Sequence, residues 1–195
     1  MTAVLAGKIG WCLMVTAWYV IRYPYERRSK RASVALNARG TPEFIRMLTA
    51  GTGLGILPAL FLWTNLLDFA DRAAFWLMTA AGSVLAVGAL LLFRLTHQAL
   101  GKLWSVSLEI KQEHKLVTHG IYATLRHPMY SAFWLMALAQ ACFLSNWVAG
   151  LSGLLGFGFL FFSRIGPEER MMKTAFGEEY GAYQKRSWHI VPHVW

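Results

Sequence analysis

Long apolar runs constrain this chain more than any other feature of its sequence. The longest, 73–95, carries no charged residue before Arg94. Other apolar runs occupy 4–21, 48–67, 129–144 and 147–162. A run of about 18 apolar residues can cross the hydrocarbon core as a helix, and backbone polar groups in lipid must be satisfied within that helix. The sequence therefore predicts an all-α integral membrane bundle with about five transmembrane helices.

The composition and charge narrow this prediction further. Of the 195 residues, 56% are hydrophobic and only 15% are charged, against ~25% charged in soluble domains. A single domain over 1–195 is expected at this length. The net charge is +9, but the basic residues flank the apolar runs, which indicates a lipid bilayer as partner and not nucleic acid. Cys12 and Cys142 lie inside apolar runs, so neither a disulfide framework nor a cysteine metal site is supported.

The basic residues also predict an orientation. In a five-span arrangement, every Lys and Arg except Lys8 and Arg72 falls at span ends that share one side. The positive-inside rule then places the amino terminus outside and the carboxyl terminus in the cytoplasm. The polar segments 100–130 and 164–192 share the cytoplasmic side. In the second of these, Pro167 predicts the first turn of a separate cytosolic helix.

Glycines inside the apolar runs predict close helix packing. Gly51 and Gly55 in the second run have the G-x-x-x-G spacing that lets a neighbouring helix approach closely. Gly153, Gly156 and Gly158 lie in the last run and are interpreted as packing glycines.

The stretch from His114 to Tyr130 concentrates the polar chemistry of the chain. Its side chains that can bind or transfer protons are His114, His119, Tyr122, Arg126, His127 and Tyr130. Pro128 disfavours helix at the preceding residue, so a helix is expected to begin at or just after Pro128. Polar groups at a membrane boundary are costly, so this stretch is a candidate site. Its histidine spacing fits no common zinc scheme, and no nucleophile elbow or phosphate loop is present.

Three motifs carry a family resemblance. They read H-x-L-V-T-x-G-x-Y-x-x-x-R-H-P-x-Y from His114, R-x-x-x-E-E from Arg164 and F-G-E-E-Y-x-x-Y-x-x-R from Phe176. This pattern, over about 100–192, resembles the isoprenylcysteine carboxyl methyltransferase family, and phospholipid N-methyltransferases share part of it. The resemblance implies a membrane enzyme that uses S-adenosylmethionine and releases S-adenosylhomocysteine. It also implies a cofactor site built from the loop and the tail helix, without a Rossmann sheet.

The resemblance assigns roles by position. The implied cofactor contacts are His114, Lys115, Leu116, Val117, Tyr122, His127, Pro128, Met129, Tyr130 and Glu168. Arg164 corresponds to the substrate-side arginine, and Arg126 is a second candidate for substrate binding. A carboxylate acceptor is already ionised at neutral pH and needs no base, so Arg164 is expected to orient it. An amine or thiol acceptor would need deprotonation, for which His127 or Glu169 is available.

The residue chemistry agrees with this assignment. Glu168 can pair with the ammonium of the cofactor, while Tyr122 and Tyr130 offer aromatic faces to its adenine or sulfonium. The predicted function is methyl transfer to a lipophilic acceptor, most simply a carboxylate of the isoprenylcysteine type. One alternative is an NADPH-dependent membrane sterol or steroid reductase, since these share an R-H-P-x-Y-like segment and a similar tail. A non-enzymatic membrane scaffold is the other. The oligomeric state is left open.

Overall fold

A computed structural model describes residues 2–29, 34–37, 40–104, 109–111 and 116–194. The helices are α1 (Ala3–Ser29), α2 (Thr41–Gly51), α3 (Leu57–Trp63), α4 (Trp76–Leu100), α5 (Pro128–Phe143) and α6 (Trp147–Lys185). A π-helical turn, Thr52–Ile56, joins α2 to α3, and single 3₁₀ turns cover Asp68–Ala70, Gly101–Leu103 and Gly120–Ala123. The all-α class is confirmed. One short antiparallel pair of strands, β1 (Val34–Asn37) and β2 (Glu109–Lys111), is added to it.

Four helices in the described part of the chain are long and apolar enough to cross a membrane. They are α1, the continuous helix Thr41–Trp63 formed by α2, the π turn and α3, then α4 and α6. Helix α5 has 16 residues, or about 24 Å, against about 30 Å for the hydrocarbon core. The protein is an integral membrane protein, while the five-span count and the orientation stay predictions.

Helix α5 lies at the centre of the bundle. One of its faces packs against α1 and α4 through a core that includes Met14, Phe93 and Met136. Its other face packs against α2 and α6 through a core that includes Tyr130 and Phe161. Because protein surrounds it on both sides, α5 is apolar without being a lipid-facing helix.

Polar side chains fasten the turn between α5 and α6. The Asn146 amide oxygen accepts a hydrogen bond from the Ala149 N–H at 2.9 Å and so caps α6. Its nitrogen donates to the Leu67 carbonyl at 2.7 Å and to Asp71 at 2.8 Å. Arg72 donates to the Leu144 carbonyl at 3.0 Å. The connection between α3 and α4 is thereby tied to the tip of this hairpin.

The expected close packing of Gly51 and Gly55 is wrong. A Cβ added at either position meets no neighbouring atom within 4 Å. Gly53 makes the close approach instead, because a Cβ there would collide with the Ser152 carbonyl of α6. The π turn widens the helix at this point and changes which residues face α6. The packing role of Gly156 is confirmed, since its Cβ would collide with the Thr49 carbonyl.

A tail helix is present, but its expected start at Pro167 is wrong. The span α6 consists of two helical parts that meet at Gly177, and Pro167 lies inside the first of them. Proline removes one backbone hydrogen bond, but contacts on both sides of it hold this part of the helix in place, since Arg164 pairs with Glu43 of α2 and Glu169 pairs with His127 at the start of α5. The backbone departs from helical geometry at Gly177, where φ is 51° and ψ is −125°. The last apolar helix therefore continues through Pro167, and the tail helix begins after Gly177.

Candidate active site

A cavity of about 520 Å³ opens where α1, α2, α5 and α6 converge with the segment 116–126. One part of its wall is apolar and includes Met14, Leu54, Phe133 and Phe157. The other part carries the polar side chains of Tyr122, Arg126, His127, Tyr130, Arg164 and Glu168. The cavity can therefore hold a charged group and an apolar chain together.

Glu168 lies at the polar end, among groups from two helices. Its carboxylate accepts a hydrogen bond from the Tyr130 hydroxyl. The Arg164 Nε lies 3.7 Å from the same carboxylate, and His127 Nδ1 lies 3.7 Å from its other oxygen. Tyr130 is near the start of α5, where Pro128 sets the first turn, while Arg164 and Glu168 are one turn apart on α6. An anionic oxygen thus faces the cavity between one cation, one imidazole and one hydroxyl.

Glu169 lies behind His127 and does not line the cavity. One of its oxygens accepts from His127 Nε2 at 2.6 Å and from the Tyr180 hydroxyl at 2.8 Å. The Gln184 amide donates to the other oxygen, and the Arg126 Nε lies 3.5 Å from the first. These partners join α5 to both ends of the tail part of α6. Glu169 is therefore placed to hold His127, away from any acceptor.

Burial and charge have opposite effects on the pKa values of His127 and Glu169. Both groups lie outside the apolar stretches. Burial lowers the pKa of His127, but the hydrogen bonds and charges of Glu168 and Glu169 outweigh it and raise that pKa above its ordinary value. Burial raises the pKa of Glu169, but the hydrogen bond and charge of His127 outweigh it and lower that pKa to about 2. Glu168 and Glu169 thus favour the imidazolium form of His127.

Glu43 is a site residue that the sequence analysis did not single out. It lies in the first turn of α2 and is 5% exposed. Its carboxylate is 3.2 Å from Arg164 Nη1 and 3.4 Å from Arg46 Nη1. The only available signal was its place as one of two acids, with Glu26, in a basic connector, because helix was predicted to begin at 48. The pairing with α6 is a tertiary contact that no local pattern shows.

Arg126 binds the end of α6 and the chain that follows it. Its guanidinium donates to the Gln184 carbonyl at 3.1 Å and also to the Ser187 carbonyl. The backbone N–H of Arg126 donates to the Trp188 carbonyl at 2.7 Å, and the backbone N–H of His127 donates to the His189 carbonyl at 2.9 Å. The carboxyl-terminal segment therefore backs the loop that carries the site.

The cavity wall contains most of the residues that the sequence predicts for the site. Those that line it are Leu116, Val117, Tyr122, Arg126, His127, Met129, Tyr130, Arg164 and Glu168. Pro128 starts α5 without lining the cavity, and Glu169 is behind His127. His114 and Lys115 lie outside the described residues. His119 is exposed and is not part of the wall.

Comparisons with known proteins indicate one family. The model of the isoprenylcysteine carboxyl methyltransferase family matches residues 80–174. A probable protein-S-isoprenylcysteine O-methyltransferase of Oryza sativa subsp. japonica is 27% identical over 133 residues, which cover 67% of this chain and 70% of the relative. The protein-S-isoprenylcysteine O-methyltransferase of Schizosaccharomyces pombe is 38% identical over 81 residues, which cover 42% of this chain and 34% of that protein.

A solved structure shares the fold. It is the eukaryotic intramembrane Ras methyltransferase, an isoprenylcysteine carboxyl methyltransferase, with a TM-score of 0.52 and 23% identity over 82% of this chain. This chain spans 55% of that protein's length. The fold and the cavity define a helical membrane protein with a charged site at one end of an apolar pocket. Residues 80–174 of this chain are similar to the isoprenylcysteine carboxyl methyltransferase family, and the solved structure shares the fold.

Proposed function

We propose that this protein transfers the methyl group of S-adenosylmethionine to a lipophilic acceptor, a carboxylate of the isoprenylcysteine type. The observation that supports this most strongly is the single cavity that joins Glu168, Tyr130 and Arg164 to a long apolar wall. Such a cavity suits a reaction between a charged, water-soluble methyl donor and an acceptor that carries an apolar chain. The family whose model matches residues 80–174 is named for the same chemistry.

The polar wall fits S-adenosylmethionine by its donors and acceptors. Glu168 offers a carboxylate to the ammonium group, and Tyr122 and Tyr130 offer aromatic faces to the adenine or sulfonium. Leu116, Val117 and Met129 complete this part of the wall, and His114 and Lys115 are proposed contacts by resemblance alone. When bound, the cofactor supplies an activated methyl group on a positively charged sulfur.

Arg164 is proposed to orient the acceptor carboxylate. Its Nε is buried without a hydrogen-bond acceptor among the described residues, although it lines the cavity. A buried donor without an acceptor is costly, and an anionic oxygen in the cavity would satisfy it. Because the acceptor carboxylate is already ionised at neutral pH, these residues need to align it and exclude water, without removing a proton.

The geometry changes the roles expected for three residues. His127 directs both ring nitrogens towards carboxylates, so we assign it to holding Glu168 on the cofactor side rather than to proton removal. Glu169 positions His127, and Arg126 positions the end of α6. Glu43 is proposed to position Arg164 from α2.

The ends of α1 and α4, the start of α5 and the tail part of α6 meet around this cavity. We propose that this face is cytoplasmic and that the amino terminus lies outside, as the distribution of Lys and Arg predicts. The cofactor then enters from water and the acceptor from the bilayer.

Isothermal titration of the detergent-solubilised protein with S-adenosylhomocysteine tests the cofactor site. We expect saturable binding that Glu168→Gln weakens at least tenfold, since a charge-assisted contact is lost. Glu178→Gln is the matched control because Glu178 is exposed on the same helix. Saturable binding of NADPH with none of S-adenosylhomocysteine would favour the reductase alternative.

Radiolabelled methyl transfer tests the acceptor. Prenylcysteine analogues with a free carboxylate should become labelled, and their amide counterparts should not. Label that enters membrane lipids but no prenylcysteine carboxylate would refute the proposed acceptor while leaving the proposed cofactor intact.

A further inference from the structure

Arg22 occupies an unusual position in the wall of the same cavity. Its guanidinium carbon lies 5.2 Å from the ring centre of Trp18 and 5.3 Å from that of Trp104. Both indoles and Arg22 line the cavity. Cation–π contacts of this kind are strongest when the cation is shielded from water. The Arg22 side chain is 19% exposed, so the two rings hold a largely shielded guanidinium at the cavity surface.

One edge of this guanidinium is already used. The Arg22 Nε donates to Glu26 at 3.1 Å. Its two terminal amino groups make no hydrogen bond to any described residue. A guanidinium offers paired donors that match a carboxylate or a phosphate in bidentate geometry. The terminal edge of Arg22 is therefore an anion-binding group that no described residue satisfies.

The surroundings indicate what kind of anion fits. Met14, Trp18 and Arg22 are spaced four residues apart, so they form one stripe along α1, and all three line the cavity. This stripe passes from apolar to cationic over about two helical turns, or roughly 12 Å. A ligand that matches it carries an anionic group at one end and an apolar chain at the other.

We propose that Arg22, between Trp18 and Trp104, forms a second anion subsite that takes the phosphate or carboxylate headgroup of a membrane amphiphile whose chain lies along α1. This subsite is distinct from Arg164, which belongs to α6. Arg22 and Trp18 lie outside residues 80–174, the part matched by the family model, whereas Trp104 lies within it. The cation of the subsite is supplied by the first helix of this chain, and its binding of an amphiphile does not depend on the methyl-transfer activity.

A neighbouring arginine provides a matched control. Arg27 lies on the same helix and contacts the Tyr23 ring at 5.7 Å, yet it is exposed and does not line the cavity. If Arg22 only interacts with bilayer headgroups at the membrane surface, Arg27 should behave in the same way. A difference between the two arginines therefore isolates the cavity subsite.

The test measures ligand-induced stabilisation of the full chain in a nonionic detergent, without cofactor. Dioctanoyl phosphatidate should raise the thermal unfolding midpoint in a saturable manner. Arg22→Gln should raise its half-saturating concentration at least tenfold, because a bidentate charge-assisted contact is removed. Arg27→Gln should change it less than twofold. Arg22→Lys keeps the charge without the planar donor pair and should bind with intermediate affinity.

Three results would overturn the proposal. Equal weakening by Arg22→Gln and Arg27→Gln would reduce the effect to general surface charge. Equal stabilisation by inorganic phosphate and by phosphatidate would leave a free-anion site and remove the amphiphile. A tenfold loss of S-adenosylhomocysteine affinity in Arg22→Gln would place Arg22 in the cofactor site. Elution volume and far-ultraviolet circular dichroism verify that each variant is folded, and Arg22→Lys remains a test if Arg22→Gln is not.

Discussion

Replacing Glu43 by glutamine tests whether an ion pair from α2 holds Arg164. The two side chains are 6% and 11% exposed, and their charged atoms lie 3.2 Å apart. Removing one partner of a buried ion pair costs about 3–5 kcal/mol, because the remaining charge loses its compensation. Arg164 keeps Glu168 at 3.7 Å, and glutamine has the same size as glutamate. We therefore expect the lower end of that range, about 3 kcal/mol.

Because Arg164 is proposed to orient the acceptor, the lost free energy should appear in the binding of the acceptor. A loss of about 3 kcal/mol corresponds to a factor of roughly 100 in an equilibrium constant. We expect the KM for the acceptor to rise by up to about that factor. The affinity for S-adenosylhomocysteine should change less than threefold, since Glu168 and Tyr130 are unaltered. Methyl-transfer kinetics and titration on the same preparation separate the two effects.

Two further variants complete this experiment. Glu178→Gln, an exposed change on α6, should alter neither quantity. Glu43→Asp keeps the charge on a shorter side chain and should recover part of the acceptor affinity. A Glu43→Gln protein with the wild-type KM and the wild-type thermal midpoint would refute the reasoning, because Arg164 would then hold its position without Glu43.

Three more predictions are measured by thermal unfolding in detergent. Gly53→Ala should lower the midpoint, since its Cβ collides with a backbone carbonyl of α6 and overpacking costs about 1–3 kcal/mol; Gly51→Ala, in open space, should not. Gly177→Ala should destabilise the protein by about 1 kcal/mol, because the φ of Gly177 is 51°. Gly181→Ala should be neutral or stabilising, and equal changes of the midpoint in the two variants would contradict this prediction. The pKa of His127 is raised above 6.5, so its contribution to stability is complete below about pH 6.5 and is lost as the pH rises through the raised value. His127→Gln should abolish that loss, and an unchanged pH profile would contradict it.

Local patterns in the sequence predicted much of the fold. The apolar run at 4–21 lies inside α1, the run at 73–95 coincides with α4 from Trp76 onward, and the start of α5 at Pro128 follows from the backbone of proline. The continuation of α6 through Pro167 did not follow, because packing against α2 and α5 outweighs one lost hydrogen bond. The close packing against α6 is made by Gly53, and not by Gly51 or Gly55, because of a π turn that has no sequence signature.

The sequence also predicted some of the site residues and missed others. Tyr130, His127 and Glu168 were predicted by resemblance, and they meet because the first turn of α5 faces the tail part of α6. Glu43 was missed because its partner is on another helix, far along the chain. The side chain of Glu169 points behind His127, and only the three-dimensional structure separates it from its neighbour Glu168.

The position of α5 has a consequence for how the protein enters the membrane. With 16 residues it is too short to be a stable span by itself. It also carries Gln140, whose amide donates to the carbonyls of Gly53 at 2.9 Å and Ala149 at 2.8 Å. Before those partners arrive, the amide has no acceptor in lipid. We therefore expect α5 to be inserted together with α6, which supplies one of these acceptors, as a pair joined by the turn that Asn146 fastens.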